Sequence, residues 1–117
     1  MEAKVKLYKP KDYDITPKEQ LEKICNGCGP AGWKAKFNSI LGCNVSECCQ
    51  IHDFQYEFGE SLEDKRSADR VFLNNLLRVI NSKDSWKITT YFRRKIAYGY
   101  YKAVDRYGGP AYWADKN

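Results

Sequence analysis

The run Cys48-Cys49-Gln50-Ile51-His52-Asp53-Phe54-Gln55-Tyr56 gathers two cysteines, a carboxylate, a tyrosine and the only histidine of the chain. Asn44 or Ser46 can cap a helix here and Gly59 can end it, so the stretch reads as a helix over about 46–58. On that helix His52 and Tyr56 share a face, while Asp53 points about 100° away. One helix then serves two purposes: a neutral imidazole able to act as general base, and a carboxylate able to hold a hard cation such as calcium. Taken without their surroundings, the same residues also suit a hydrogen-bonded core histidine beside two buried thiols.

Upstream, Asn26-Gly27-Cys28-Gly29-Pro30-Ala31-Gly32 packs glycines and a proline into a loop that can turn sharply and approach a ligand closely. Apolar residues at Trp33, Phe37, Ile40 and Leu41 predict a helix that Gly42 and Asn44 break. Thr16-Pro17-Lys18-Glu19 is a capping box with proline at the first helical position, which predicts a short helix to about Ile24 with Leu21 and Ile24 inward. Residues 1–15, with Pro10, read as an extended lead-in.

Downstream, Ser61-Leu62-Glu63-Asp64 opens a helix whose stripe of Ala68, Phe72, Leu76 and Val79 runs to about Ser82. The short Gly59-Glu60 connection makes it antiparallel to the His52 helix. Apolar positions at Ile88, Phe92, Ile96, Tyr100, Ala103 and Val104 predict a third long helix from Ser85 to about Tyr107, stopped by Gly108-Gly109-Pro110. Residues 111–117 read as a tail, and no strand is expected. The fold class is therefore all-α, one domain over 1–117.

The pattern C-C-x-x-H-D-x-x-Y resembles the active-site helix of the secreted phospholipase A2 superfamily. Two further pieces follow in the right order, and together the three cover about Cys25 to Asn75. The Gly27 to Gly32 loop is similar to that family's calcium loop, which implies metal ligation by the carbonyls of Gly27, Gly29 and Ala31 with the Asp53 carboxylate. Ala31 departs from the usual glycine, a tolerable change where only the carbonyl is needed. Asp69, in Ala68-Asp69-Arg70, resembles the aspartate that orients the catalytic histidine, with Tyr56 placed to donate to the same carboxylate. Read alone, Asp69 equally suits a surface ion pair.

The resemblance also implies a Cys28–Cys49 bridge that ties the loop to the helix. A second family bridge is missing at both ends, where Gln55 and Ala68 stand. The usual partner of Cys48 falls at Asn75, so Cys48 is either free or rerouted to Cys25 or Cys43. The implied reaction is calcium-dependent hydrolysis of the sn-2 ester of a glycerophospholipid. His52 activates water, and the Gly29 N–H and calcium stabilise the oxyanion. The short His52 to Asp69 spacing is like that of compact bacterial, fungal or viral members.

Composition is compatible with this and adds a partner. With 43% hydrophobic and 30% charged residues the chain is an ordinary globular one, whereas nine tyrosines in 117 residues suit a surface that meets lipid headgroups. A formal charge of +5 favours an anionic partner, a membrane surface or a nucleic acid alike, and the phospholipase A2 resemblance implies the membrane, with no nucleic acid expected. Trp33, Lys34, Lys36, Arg93, Arg94 and Lys95 are the candidates for that face.

No long apolar run is present, and the first residues lack the apolar core and cleavage site of a secretory signal. An exported protein would use another route or have lost a signal, and a cytoplasmic location stays open. Two rival functions use the same residues. One is a catalytically silent phospholipase A2-like binding domain. The other is an interaction module in which Cys25, Cys28, Cys43, Cys48, Cys49 and His52 supply zinc ligands.

Overall fold

Reciprocal capping fixes the start of the helix that opens at Leu62. The Ser61 hydroxyl accepts the Asp64 N–H at 3.1 Å, and the Asp64 carboxylate accepts the Ser61 N–H at 3.2 Å. A computed structural model describes residues 5–24, 39–114 and 116. Within them the order is α1 (Lys18–Ile24), β1 (Ser39–Ile40), β2 (Cys43–Asn44), α2 (Ser46–Phe58), α3 (Leu62–Ser82), α4 (Lys87–Tyr107) and α5 (Gly109–Trp113). The protein is mainly helical, with one small two-stranded sheet among the described residues.

Paired contacts give the helix directions. His52 meets Phe72 and Tyr56 meets Asp69, so α2 and α3 run antiparallel. Arg94 meets Asn81 and Lys65 meets Val104, so α3 and α4 do the same. Helix α3 lies in the middle and buries Leu76 and Ile80 completely. Each such side chain stabilises the fold by about 1.5–3 kcal/mol relative to exposure.

The expected helix over 33–41 is overturned where it can be followed. Residues 33–38 lie outside the described residues, and Ser39–Ile40 pairs with Cys43–Asn44 in an antiparallel hairpin. Leu41 (φ 47°) and Gly42 (φ 81°) form its turn in the left-handed region that such tight hairpins require. The sequence expectation of no strand is corrected at the same point.

The other corrections are smaller. Val45, neither Asn44 nor Ser46, occupies the N-cap of α2, and Asn44 Oδ1 instead accepts the Ser46 N–H at 2.9 Å. Leu21 and Ile24 are only partly buried against the core. Helix α4 starts at Lys87 rather than Ser85.

Pro110, read as a stop, opens α5, because proline's missing N–H costs nothing at a helix start. The expected tail is therefore partly helical, and its Tyr112 is buried and donates to the Ser61 carbonyl at 2.6 Å. The lead-in is more than extended chain: it turns at Pro10 to Tyr13 and buries Leu7 and Tyr13. Asn75 holds it at two points, accepting the Tyr8 N–H at 2.9 Å and donating to the Tyr8 carbonyl at 3.0 Å.

Candidate active site

The pattern of α2 places Ile51 and Phe54 in the core and carries His52 with them to the α3 side. Its ring lies between two others, with centroids 4.2 Å from Tyr56 and 4.6 Å from Phe72. Nε2 of His52 faces Asp69 Oδ1 at 2.8 Å, and the Tyr56 hydroxyl donates to that same oxygen at 2.7 Å. Asp69 is fully buried, not a surface ion-pair residue. Three of the sequence-predicted site residues, His52, Tyr56 and Asp69, thus converge.

Electrostatics follow from that burial. Desolvation drives the His52 pKa below its ordinary 6.5 although Asp69 pulls it up, so the imidazole is neutral near pH 7. Burial alone would raise Asp69 above 3.8, but hydrogen bonds from His52, Lys65 and Tyr56 outweigh it and the net shift is downward. An ionised Asp69 accepts, so Nε2 carries the ring proton and Nδ1 is left as the basic nitrogen. Tyr56 is pushed well above 10 by burial and then by Asp69, which keeps its hydroxyl a donor.

Lys65 is the residue that the sequence reading missed. It is 4% exposed, its Nζ donates to Asp69 Oδ2 at 2.8 Å, and it reaches the carbonyls of Val104 and Asp105 at 3.0 and 3.3 Å. A signal was present: Lys65, Asp69, Phe72 and Leu76 fall on one helical stripe, which places a lysine on the buried face.

Gly108 closes the far side. A Cβ there would lie 2.5 Å from the Tyr56 hydroxyl and 2.4 Å from the Val104 carbonyl, so only glycine lets the end of α4 come this near.

The predicted metal site is described only at Asp53, which is half-buried on α2 beside His52. Gly27, Gly29 and Ala31, with the Gly29 N–H, lie outside the described residues. The expected donors are all oxygens, a set that suits calcium. Among the described residues no three His, Cys, Asp or Glu side chains gather as a metal site.

Cys28 and Cys25 also lie outside the described residues. Cys48 is a buried free thiol, which resolves its alternatives, and Cys43 is buried. Asn75, the position to which the resemblance assigns a partner for Cys48, is hydrogen-bonded to Tyr8.

The expected membrane face is corrected at Arg93. That residue is 5% exposed, with Nε and Nη2 on the Leu41 carbonyl at 3.2 and 2.6 Å and Nη1 on Ser85 Oγ at 2.6 Å. It lies on the same inward stripe as Ala97, Tyr100 and Val104, and it fastens the hairpin turn to α4. Arg94 is exposed but bound to Asn81 Oδ1. Trp33, Lys34 and Lys36 lie outside the described residues.

The outward face of α4 exposes Ile88, Tyr91, Phe92 and Tyr98 together with Lys95 and Lys102. Among the described residues no helix is long and apolar enough to cross a membrane. No protein-family profile, no curated protein and no solved structure matches the chain.

Proposed function

We propose that the protein is a calcium-dependent hydrolase of the phospholipase A2 type, with the fold of that superfamily, that cleaves the sn-2 ester of glycerophospholipids. The observation that carries this reading is the 2.8 Å contact between His52 Nε2 and Asp69 Oδ1, with Tyr56 on the same oxygen. It orients the ring and leaves Nδ1 as the base.

In the proposed reaction His52 Nδ1 takes a proton from water, whose oxygen attacks the ester carbonyl. The same proton then passes to the departing glycerol oxygen, giving a fatty acid and a lysophospholipid. Asp69 accepts from the ring throughout, which stabilises the imidazolium that forms. Tyr56 holds Asp69, and the Gly29 N–H donates to the oxyanion. A calcium ion held by Asp53 and the carbonyls of Gly27, Gly29 and Ala31 would supply positive charge for the substrate phosphate and the oxyanion. A Cys28–Cys49 bridge would tether that loop to α2. The substrate surface is an anionic membrane, reached after secretion or by another route.

The test is release of fatty acid from mixed phospholipid vesicles, with calcium or with chelator, by wild type and His52→Gln. Calcium-dependent release that the substitution abolishes is the expected result. Equal release by the two proteins would eliminate His52 as the base. A folded, calcium-loaded wild type without any release would leave the binding-domain reading.

A further inference from the structure

The two oxygens of Asp69 have separate partners. Oδ1 serves His52 and Tyr56, and Oδ2 takes Lys65 Nζ at 2.8 Å. An ammonium group has three N–H donors, and those of Lys65 are matched by three acceptors: Asp69 Oδ2 and the carbonyls of Val104 and Asp105. Both carbonyls belong to the last turn of α4, at the negative end of the helix dipole, and the Val104 carbonyl, which also accepts the Gly108 N–H at 2.9 Å, gives its second lone pair to the lysine. The lysine is therefore compensated from two sides, which explains how so costly a charge is tolerated at 4% exposure.

The geometry points to Lys65 as a positioning residue for the His52–Asp69 pair, one that fastens Asp69 Oδ2 to the end of α4 so that Oδ1 stays on the imidazole. This rests on the proposed function only for its catalytic consequence. Lys65 touches no reacting atom and acts through Asp69.

A carboxylate held on one oxygen alone can turn about its terminal torsion, which has a broad, two-fold profile. Turning would offer His52 either oxygen at poorer angles, and the ring would lose its fixed tautomer. Lys65 removes that freedom by spanning from Asp69 to a second helix. The C-terminal turn of α4 thereby becomes part of the site.

A methionine at 65 keeps the length and apolar stem but not the donors, whereas an arginine keeps the charge in a planar fork that cannot meet the same three acceptors. Because His52 is the only histidine, its two ring nitrogens can be read in a long-range 1H–15N spectrum without assignment. Wild type at pH 8 should show two well-separated nitrogens, the pattern of one tautomer with the proton on Nε2. In Lys65→Met the two signals should draw together as the tautomers mix, with Lys65→Arg between the extremes. In the vesicle assay Lys65→Met should lose at least about tenfold in kcat with little change in KM, the scale typical of removing an orienting partner.

Should Lys65→Met not fold by circular dichroism, Lys65→Gln decides by the same spectrum. A folded variant with wild-type nitrogen shifts would overturn the positioning role. Wild type without esterase activity would strike the proposed reaction alone, and the spectrum would still test Lys65.

Discussion

Tyr56 and His52, one turn apart on α2, converge on a single oxygen of Asp69 at 2.7 and 2.8 Å. The phenol is held from behind as well, edge-on to Tyr112 at 5.1 Å. Tyr56→Phe keeps that packing and removes one hydrogen bond to a charged acceptor. It should lower stability by about 1.5–3 kcal/mol in urea unfolding without loss of fold. An unchanged midpoint would show that the hydroxyl does not support Asp69.

Acid should unfold the protein in two descents. The folded pKa of His52 lies below 6.5, so the unfolded chain binds a proton that the folded one refuses, and stability present above pH 6.5 is lost as pH falls. Asp69 is likewise lowered, from 3.8, so its contribution holds above pH 3.8 and disappears below it. Urea midpoints measured from pH 8 to 3 should show both, and His52→Gln should erase the upper one. A flat profile between pH 7 and 5 in wild type would contradict a buried neutral imidazole.

Cys48 is fully buried, and desolvation pushes its thiol up to about 12. A thiol reacts as its thiolate, so alkylation by iodoacetamide at pH 8 should spare Cys48 in the native protein and label it fully in urea. Peptide mass mapping after each treatment checks this. Rapid native labelling of Cys48 would mean that the N-terminal turns of α2 open far more readily than their packing implies.

The outward face of α4 combines Tyr91 and Phe92, each about half exposed, with Lys95, whose ammonium lies 5.4 Å from the Tyr91 ring. Vesicles rich in an anionic lipid should bind wild type more tightly than neutral ones. Phe92→Ala with Lys95→Glu should weaken that binding, since each basic residue near an anionic surface contributes about 1 kcal/mol. Co-sedimentation measures it. Binding equal on neutral and anionic vesicles would exclude the electrostatic part.

Much of the helical frame was legible because local signals act alone. The Ser61 capping box and the Gly59 stop set the end of α2 and the start of α3, and apolar residues about every three to four positions set their inner faces. The convergence of His52, Tyr56 and Asp69 could be anticipated from spacing and resemblance together. The β-hairpin could not, because Ile40 and Leu41 continue an apolar spacing that a left-handed turn at Leu41 and Gly42 interrupts. Arg93 and Lys65 were hidden by their type: charged side chains were read as surface although each stands on a buried stripe, paired there with backbone carbonyls that no sequence pattern displays.

Asn75 clasps the lead-in at Tyr8 by two amide hydrogen bonds, at the position to which the phospholipase A2 resemblance assigns half of a cystine. A cystine in that place would exist only under oxidising conditions or behind enough burial to resist reductants. An amide clasp has no redox chemistry. This joint between the N-terminal strap and α3 would therefore keep its strength in glutathione as it would outside a cell, whatever oxidation state the sulfurs elsewhere in the chain adopt.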